Sequence, residues 1–399
     1  MGKAYYRMKI MYDVNLSRIY ELVINSDPCY AFLLEGNSLI QNKLVIAHVF
    51  AHGDFFKNNA WFRRTNRGMV ESMAVHAQRI REYEFQYGRG EVEKLLDAAL
   101  AVQEHIDPCC LMKKRTGKKP EEKKPSPYED IWSIGEEKEE EPKEEEKKFP
   151  LFPEKDLLEF IIRHSHVLKD WQKDILDMVH QEMFYLWPQI ETKIMNEGWA
   201  TFWHARIMRE LDLSDEETLE FARLHSGIIQ PSRMQLNPYL LGVEIFEDIA
   251  KRWGDQPFSK GQGIAKIFEV REMENDISFI RNYLTKDLVR ELDLYLYKKQ
   301  GQQWKVVDTD WETVREGIIA KLINGGFPYL VVEDGDYEKN GHLYIKHQHE
   351  GVDMDTYYLE KTLPYVFYLW GKPVHLETVL EGRPIVFNFD GNKTQRKGL

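Results

Sequence analysis

A chain of 399 residues, 43% hydrophobic and 13% aromatic, has enough apolar material for two or three buried cores, which excludes a largely disordered protein. Its formal net charge of −12 argues against a general nucleic-acid or anionic-membrane binder, which needs a basic face. The three cysteines, Cys29, Cys109 and Cys110, form neither a Cys-x-x-Cys pair nor an even disulfide set, so reduced thiols are expected.

Taken in chain order, apolar residues recur mostly at three- and four-residue spacing, the pattern of amphipathic helices. Helices are predicted at 14–24, 38–56, 68–87 and 91–105, with Gly88-Arg89-Gly90 dividing the last two. From Met112 to Pro150 the chain is dominated by Lys, Glu and Pro and cannot bury enough apolar surface to offset ordering. Ile131-Trp132 is the one spot in it expected to dock on the body. Helices resume at 154–164, 171–185, 189–211, 238–253 and 284–297. The last hundred residues change character, with strands expected at 304–307, 329–333 and 342–347, and helices at 311–324 and 359–370. A hairpin closes the chain at 374–379 and 384–389, around Glu381-Gly382.

The expected fold is therefore a mainly α N-terminal domain, residues 1–111 and 151–300, with a zincin-like helical metal site. A small α+β, ferredoxin-like C-terminal module follows at 301–399, because its order reads β-α-β-β-α-β plus one strand. Residues 112–150 form a charged low-complexity insertion, expected to be disordered. No signal-peptide core and no apolar run of transmembrane length is present, and Tyr6 breaks the myristoylation pattern. A cytoplasmic protein without membrane insertion is expected.

The chemistry concentrates in Ile46-Ala-His-Val-Phe-Ala-His-Gly-Asp-Phe-Phe56. On a helix, His48 and His52 project from one face a turn apart, the way one helix offers two nitrogens to one ion. Metallopeptidases of this kind place a glutamate directly after the first histidine, and here that position is Val49. A second helix, Lys193-IMNEGWATFW-His204, supplies Glu197 as a third ligand, giving two histidines and one carboxylate for Zn²⁺ or another divalent ion. His204, seven residues on, lies about 10.5 Å further along the axis and reads as a group behind the ligands or facing substrate. His76 sits on an otherwise apolar helix face, so a set of His48, His52 and His76 stays open. With Val49 unable to act as base, Asp54, Glu71 and Glu182 are the candidates, with His204 as proton donor or oxyanion stabiliser. His105, at a helix end, reads as structural. The pairs His164/His166 and His347/His349 read as surface residues. No dinucleotide loop, P-loop, Glu-x-x-His pair or nucleophile elbow occurs.

Six strings carry a resemblance: Ile46–Asn59, Lys193–His204, Leu236–Ile249, Lys266–Thr285, Asn324–Tyr337 and Leu369–Thr378. Together, over about Tyr5 to Asp390, they resemble the SpoVR family, stage V sporulation protein R. The resemblance implies a cytoplasmic protein connected with formation of the spore cortex, a peptidoglycan layer. It also implies company with a serine protein kinase of the PrkA type and a von Willebrand-like protein. No reaction comes with it. Two functions follow as expectations: a metal-dependent amide hydrolase, or a non-catalytic regulatory or scaffold protein acting with the kinase in sporulation or stress response.

Overall fold

The computed structural model describes residues 21–109, 149–231, 236–254, 261–300 and 303–399. Most of the charged insertion, with its Ile131-Trp132 pair, lies outside them. The chain divides into two compact units, the first of residues 1–79 and 184–326, the second of 80–183 and 327–399.

Of the helix expected at 14–24, residues 14–20 lie outside the described residues and 21–24 form a strand: β1 (Glu21–Ile24) pairs antiparallel with β2 (Tyr30–Leu33). The β-branched Val23 and Ile24 suit a strand, and tertiary pairing overrides the weak helical spacing. Helix α1 (Leu39–Asn58) starts at Ser38, whose hydroxyl accepts from the Gln41 amide while the Gln41 side chain caps Ser38 in return. A 3₁₀ turn at Ala60–Arg64 leads into α2 (Met69–Tyr87). The second unit takes up α3 (Arg89–Leu100), α4 (Leu157–His164) and the first part of α5 (Asp170–Glu191).

Back in the first unit, α6 (Lys193–Glu210), α7 (Asp215–Ile228) and α8 (Pro238–Gly254) precede α9 (Gln262–Met273), α10 (Asp276–Tyr283) and α11 (Lys286–Glu291). The core is aromatic: Phe55, Trp199, Phe202, Phe246 and Phe279 are almost completely buried and belong to one cluster. The helix expected over 284–297 stops early, since Asp293 adopts a left-handed φ of 50°. From there β3 (Leu296–Gln300) pairs with β4 (Gln303–Asp308), and α12 (Trp311–Ala320) packs against α10 and α11.

In the second unit β5 (Leu330–Tyr337), β6 (His342–His347), α13 (Thr356–Trp370), β7 (Val374–Leu380), β8 (Arg383–Phe389) and β9 (Thr394–Gly398) follow. Strand order is β5-β6-β7-β8-β9, with β6 and β7 parallel and every other pair antiparallel. Buried residues alternate along the strands, Leu343 and Ile345 on β6 and Val374 and Leu376 on β7, and α13 packs against β7 and β8. The ferredoxin-like arrangement is not what forms. The strand around Val306 finds its partner in the preceding residues and stays out of the sheet, and β9 adds an edge strand beyond the expected hairpin.

Candidate metal centre

His48 and His52 lie on the face of α1 that also buries Leu44, Ala51 and Phe55, so burial of this helix carries both imidazoles inward. They are 6% and 4% exposed, and their rings meet edge to face with centroids 4.6 Å apart. Helix α6 brings Glu197 opposite them. Its start is fixed from outside: the Asp276 carboxylate accepts the otherwise orphaned amides of Ile194 and Met195, at 2.8 and 2.9 Å. Its lateral position is fixed by glycines. A Cβ on Gly198 would stand 2.4 Å from backbone atoms of Gly242, so α6 and α8 cross in backbone contact. Trp199 and Phe202 then pin α6 into the core.

The result is a convergence of acceptors. Glu197 Oε2 lies 3.6 Å from Nε2 of His48 and 3.6 Å from Nε2 of His52. One ligand atom from each of the three residues falls within 4.8 Å of the others. Two donors bound about 2.1 Å from a tetrahedral ion sit about 3.4 Å apart, close to this spacing. Glu197 Oε2 is buried and accepts no hydrogen bond. The surrounding contacts explain why. His52 Nδ1 faces the Asn196 side-chain oxygen at 2.8 Å, so that nitrogen carries the proton and Nε2 presents a lone pair.

A second chain of contacts orients His48. His48 Nδ1 meets His204 Nδ1 at 2.8 Å, and His204 Nε2 meets His225 Nδ1 at 2.9 Å. Burial, followed by the neighbouring His48, His225 and His52, pushes the His204 imidazole down to about 2, which keeps it neutral. His225 is shifted the same way, by burial and then by Arg209. One proton fills each contact, and the arrangement in which His48 donates to His204 and His204 to His225 is the one that frees the His48 Nε2 lone pair for an ion. In that arrangement two nitrogen lone pairs and a carboxylate oxygen face one another and repel unless a cation sits among them. The donor set fits a divalent ion, and burial fits its retention.

The other candidates fall elsewhere. The Asp54 carboxylate holds Trp199 Nε1 at 3.1 Å and Asn58 at 2.9 Å, with Arg271 Nε 3.5 Å away. Its interactions thus tie α1 to α6 and α9. Glu71 lies in the first turn of α2 and Glu182 on the part of α5 that belongs to the second unit; neither joins the cluster. His76 is buried on α2, outside the three-residue group. His105 follows α3, and its imidazole is pushed down to about 4 by burial and then by Lys155 and His347. His347, expected at the surface, is 7% exposed and bonds Thr378 Oγ1 at 2.8 Å, because β6 lies inside the sheet. Spacing missed Asn196, His225 and Tyr239, whose ring stacks on His48. The Ser214-x-x-Glu217 capping box was the signal that could have placed α7, and His225 with it.

A second acidic group, Asp156, Glu159 and His180, is differently constituted. Asp156 caps α4 through the Glu159 amide and also accepts from the Asp107 amide and His180 Nε2, so its oxygens are occupied by donors.

A helical first unit with a buried two-histidine, one-glutamate cluster on crossed helices defines a class: helical proteins with a site suited to a divalent metal ion. The chain belongs to the SpoVR family. The family model for SpoVR-like proteins matches residues 1–327 and that for the SpoVR-like C-terminal domain matches residues 328–381. A protein of Escherichia coli (strain K12), "Uncharacterized protein YcgB", is 32% identical over 309 residues, 69% of this chain. The chain spans about 60% of that relative's length. No solved structure matches. Among the described residues, no helix is long and apolar enough to cross a membrane.

Proposed function

We propose that the chain is a metal-dependent hydrolase acting on an amide bond in a peptide or peptidoglycan fragment, in keeping with the cortex connection of its family. One observation carries this reading: His48 Nε2, His52 Nε2 and Glu197 Oε2 converge, with a ligand atom from each residue within 4.8 Å of the others and the carboxylate oxygen buried. Those three atoms would hold the ion, zinc by donor type, which when bound supplies Lewis-acid activation of water and of a carbonyl.

The remaining chemistry belongs to the chain. Asn196 holds His52 in the metal-binding tautomer, and His204 orients His48 while His225 continues that contact toward the half-buried face of α7. Phe56, stacked on His52, and Tyr239, stacked on His48, wall the site with aromatic surface that limits water. The test is metal content after anaerobic, zinc-supplemented purification. About one equivalent is expected in the native protein and a small fraction of that in Glu197→Gln. Metal-free native protein would sink the reading. Release of new amino groups from peptidoglycan stem peptides, absent in His48→Ala, would then establish the reaction.

Val49 favours a second reading. Without a carboxylate beside His48, the same centre serves as a structural clasp, and the protein acts as a regulator or scaffold for a PrkA-type kinase and a von Willebrand-like protein. Complementation of a sporulation or stress phenotype by His48→Ala and His52→Ala would decide for it.

A further inference from the structure

The second unit holds a cavity of about 800 Å³ whose charge runs against that of the chain. Four full cations line it, Arg163, Lys173, Lys339 and Lys372, against one carboxylate, Asp336. The overall net charge is −12, so this concentration of cations is local. His164 and His166 add two imidazoles to the wall. The His164 imidazole lies below its ordinary range because of burial, then of Arg163, His166 and Lys173, so these groups share one field.

The loop between β5 and β6 shapes the cavity. Glu338 and Lys339 take left-handed φ values of 59° and 56°, and Gly341 one of 71°. The Asp336 carboxylate accepts the Gly341 amide at 2.7 Å, which spends one of its oxygens on the turn. A Cβ at Gly341 would stand 2.6 Å from Lys372 Nζ, so glycine lets that ammonium lie on the loop, where it donates to Asn340 O at 2.8 Å. Arg163 also pairs with Glu159, one turn earlier on α4, which orients its guanidinium. Like charges collected in one concavity repel each other and lower the potential energy of any anion that enters.

We propose that this cavity binds a small polyanion bearing adjacent phosphoryl groups, held by Arg163, Lys173, Lys339 and Lys372. Several separate ammonium groups around one concavity suit a ligand with charge on more than one centre, and arginine adds paired donors for phosphoryl oxygens. The site is independent of the histidine–glutamate cluster, which belongs to the first unit.

Titration calorimetry of the full chain with inorganic pyrophosphate tests it, at low and at physiological ionic strength. Saturable one-site binding is expected, with orthophosphate at least tenfold weaker. The double variant Lys173→Gln/Lys372→Gln should weaken pyrophosphate binding tenfold or more, with an unchanged circular dichroism spectrum and unchanged metal content. Lys251→Gln, an exposed cation of the first unit, should leave it unaltered. No saturable binding, or equal binding by the double variant, overturns the proposal, as does a heat reproduced by sodium chloride at matched ionic strength.

Discussion

Asn196 shows how much of the centre depends on groups that never touch the ion's position. Its amide oxygen, 2.8 Å from His52 Nδ1, selects the tautomer that leaves Nε2 a lone pair. Removing such a partner weakens metal affinity by roughly 10- to 100-fold. Asn196→Leu is therefore expected to lose affinity in that range in a competition titration against a chromophoric chelator, while Asn196→Asp retains most of it. An unchanged affinity for Asn196→Leu would remove the residue from the centre. At this scale the sequence was partly legible. The four-residue step between His48 and His52 is a local property of one helix, and so could be read directly. The contact from His48 through His204 to His225 joins three helices, and spacing along one chain holds no record of it.

Between elements, the contact that matters most is the crossing of α6 and α8. No side chain fits at Gly198, where a Cβ would meet Gly242 at 2.4 Å, or at Gly242, where it would meet Ile194 O at 2.3 Å. Overpacking by a single methyl against yielding side chains costs about 1–3 kcal/mol, and here the obstacle is backbone. Gly198→Ala is expected to lose about 3 kcal/mol in urea denaturation and, because the preceding residue is Glu197, to lose metal affinity as well. A loss under about 0.5 kcal/mol would mean that the helices separate easily. Helices α1, α2 and α8 were legible within a few residues of their ends. β1 and β3 were not, because their partners decide their conformation more than their own spacing does. The left-handed Asp293, which ends a helix early, is likewise set by its surroundings.

For the whole molecule, binding to the native state alone raises global stability. An ion present at about 100 times its dissociation constant adds about 2.7 kcal/mol, so the melting temperature should rise with zinc in native protein and stay fixed in Glu197→Gln. Asp276 gives global stability a pH dependence of known sign. Burial, against the two amides it accepts, raises its carboxyl from 3.8 to about 7. Between those values the native state holds a proton that the unfolded state has released, so this group's stabilisation is present in acid and lost as pH rises through about 7. Denaturation at pH 5 and 7.5 should show native protein losing its advantage over Asp276→Asn across that interval. An advantage that grows with pH would reverse the assignment.

The backbone contact between α6 and α8 also sets a dimension. Glu197 neighbours a point where α6 cannot move closer, and the buried Asp276 holds the start of the same helix. The gap between carboxylate and imidazoles thus behaves as a caliper locked at one opening, wide enough for an ion of zinc's radius with nitrogen donors. Calcium, which asks for six to eight oxygens at 2.3–2.6 Å, finds too few ligands and too little room to recruit more. Discrimination among ions is then a matter of fixed span as much as of donor softness.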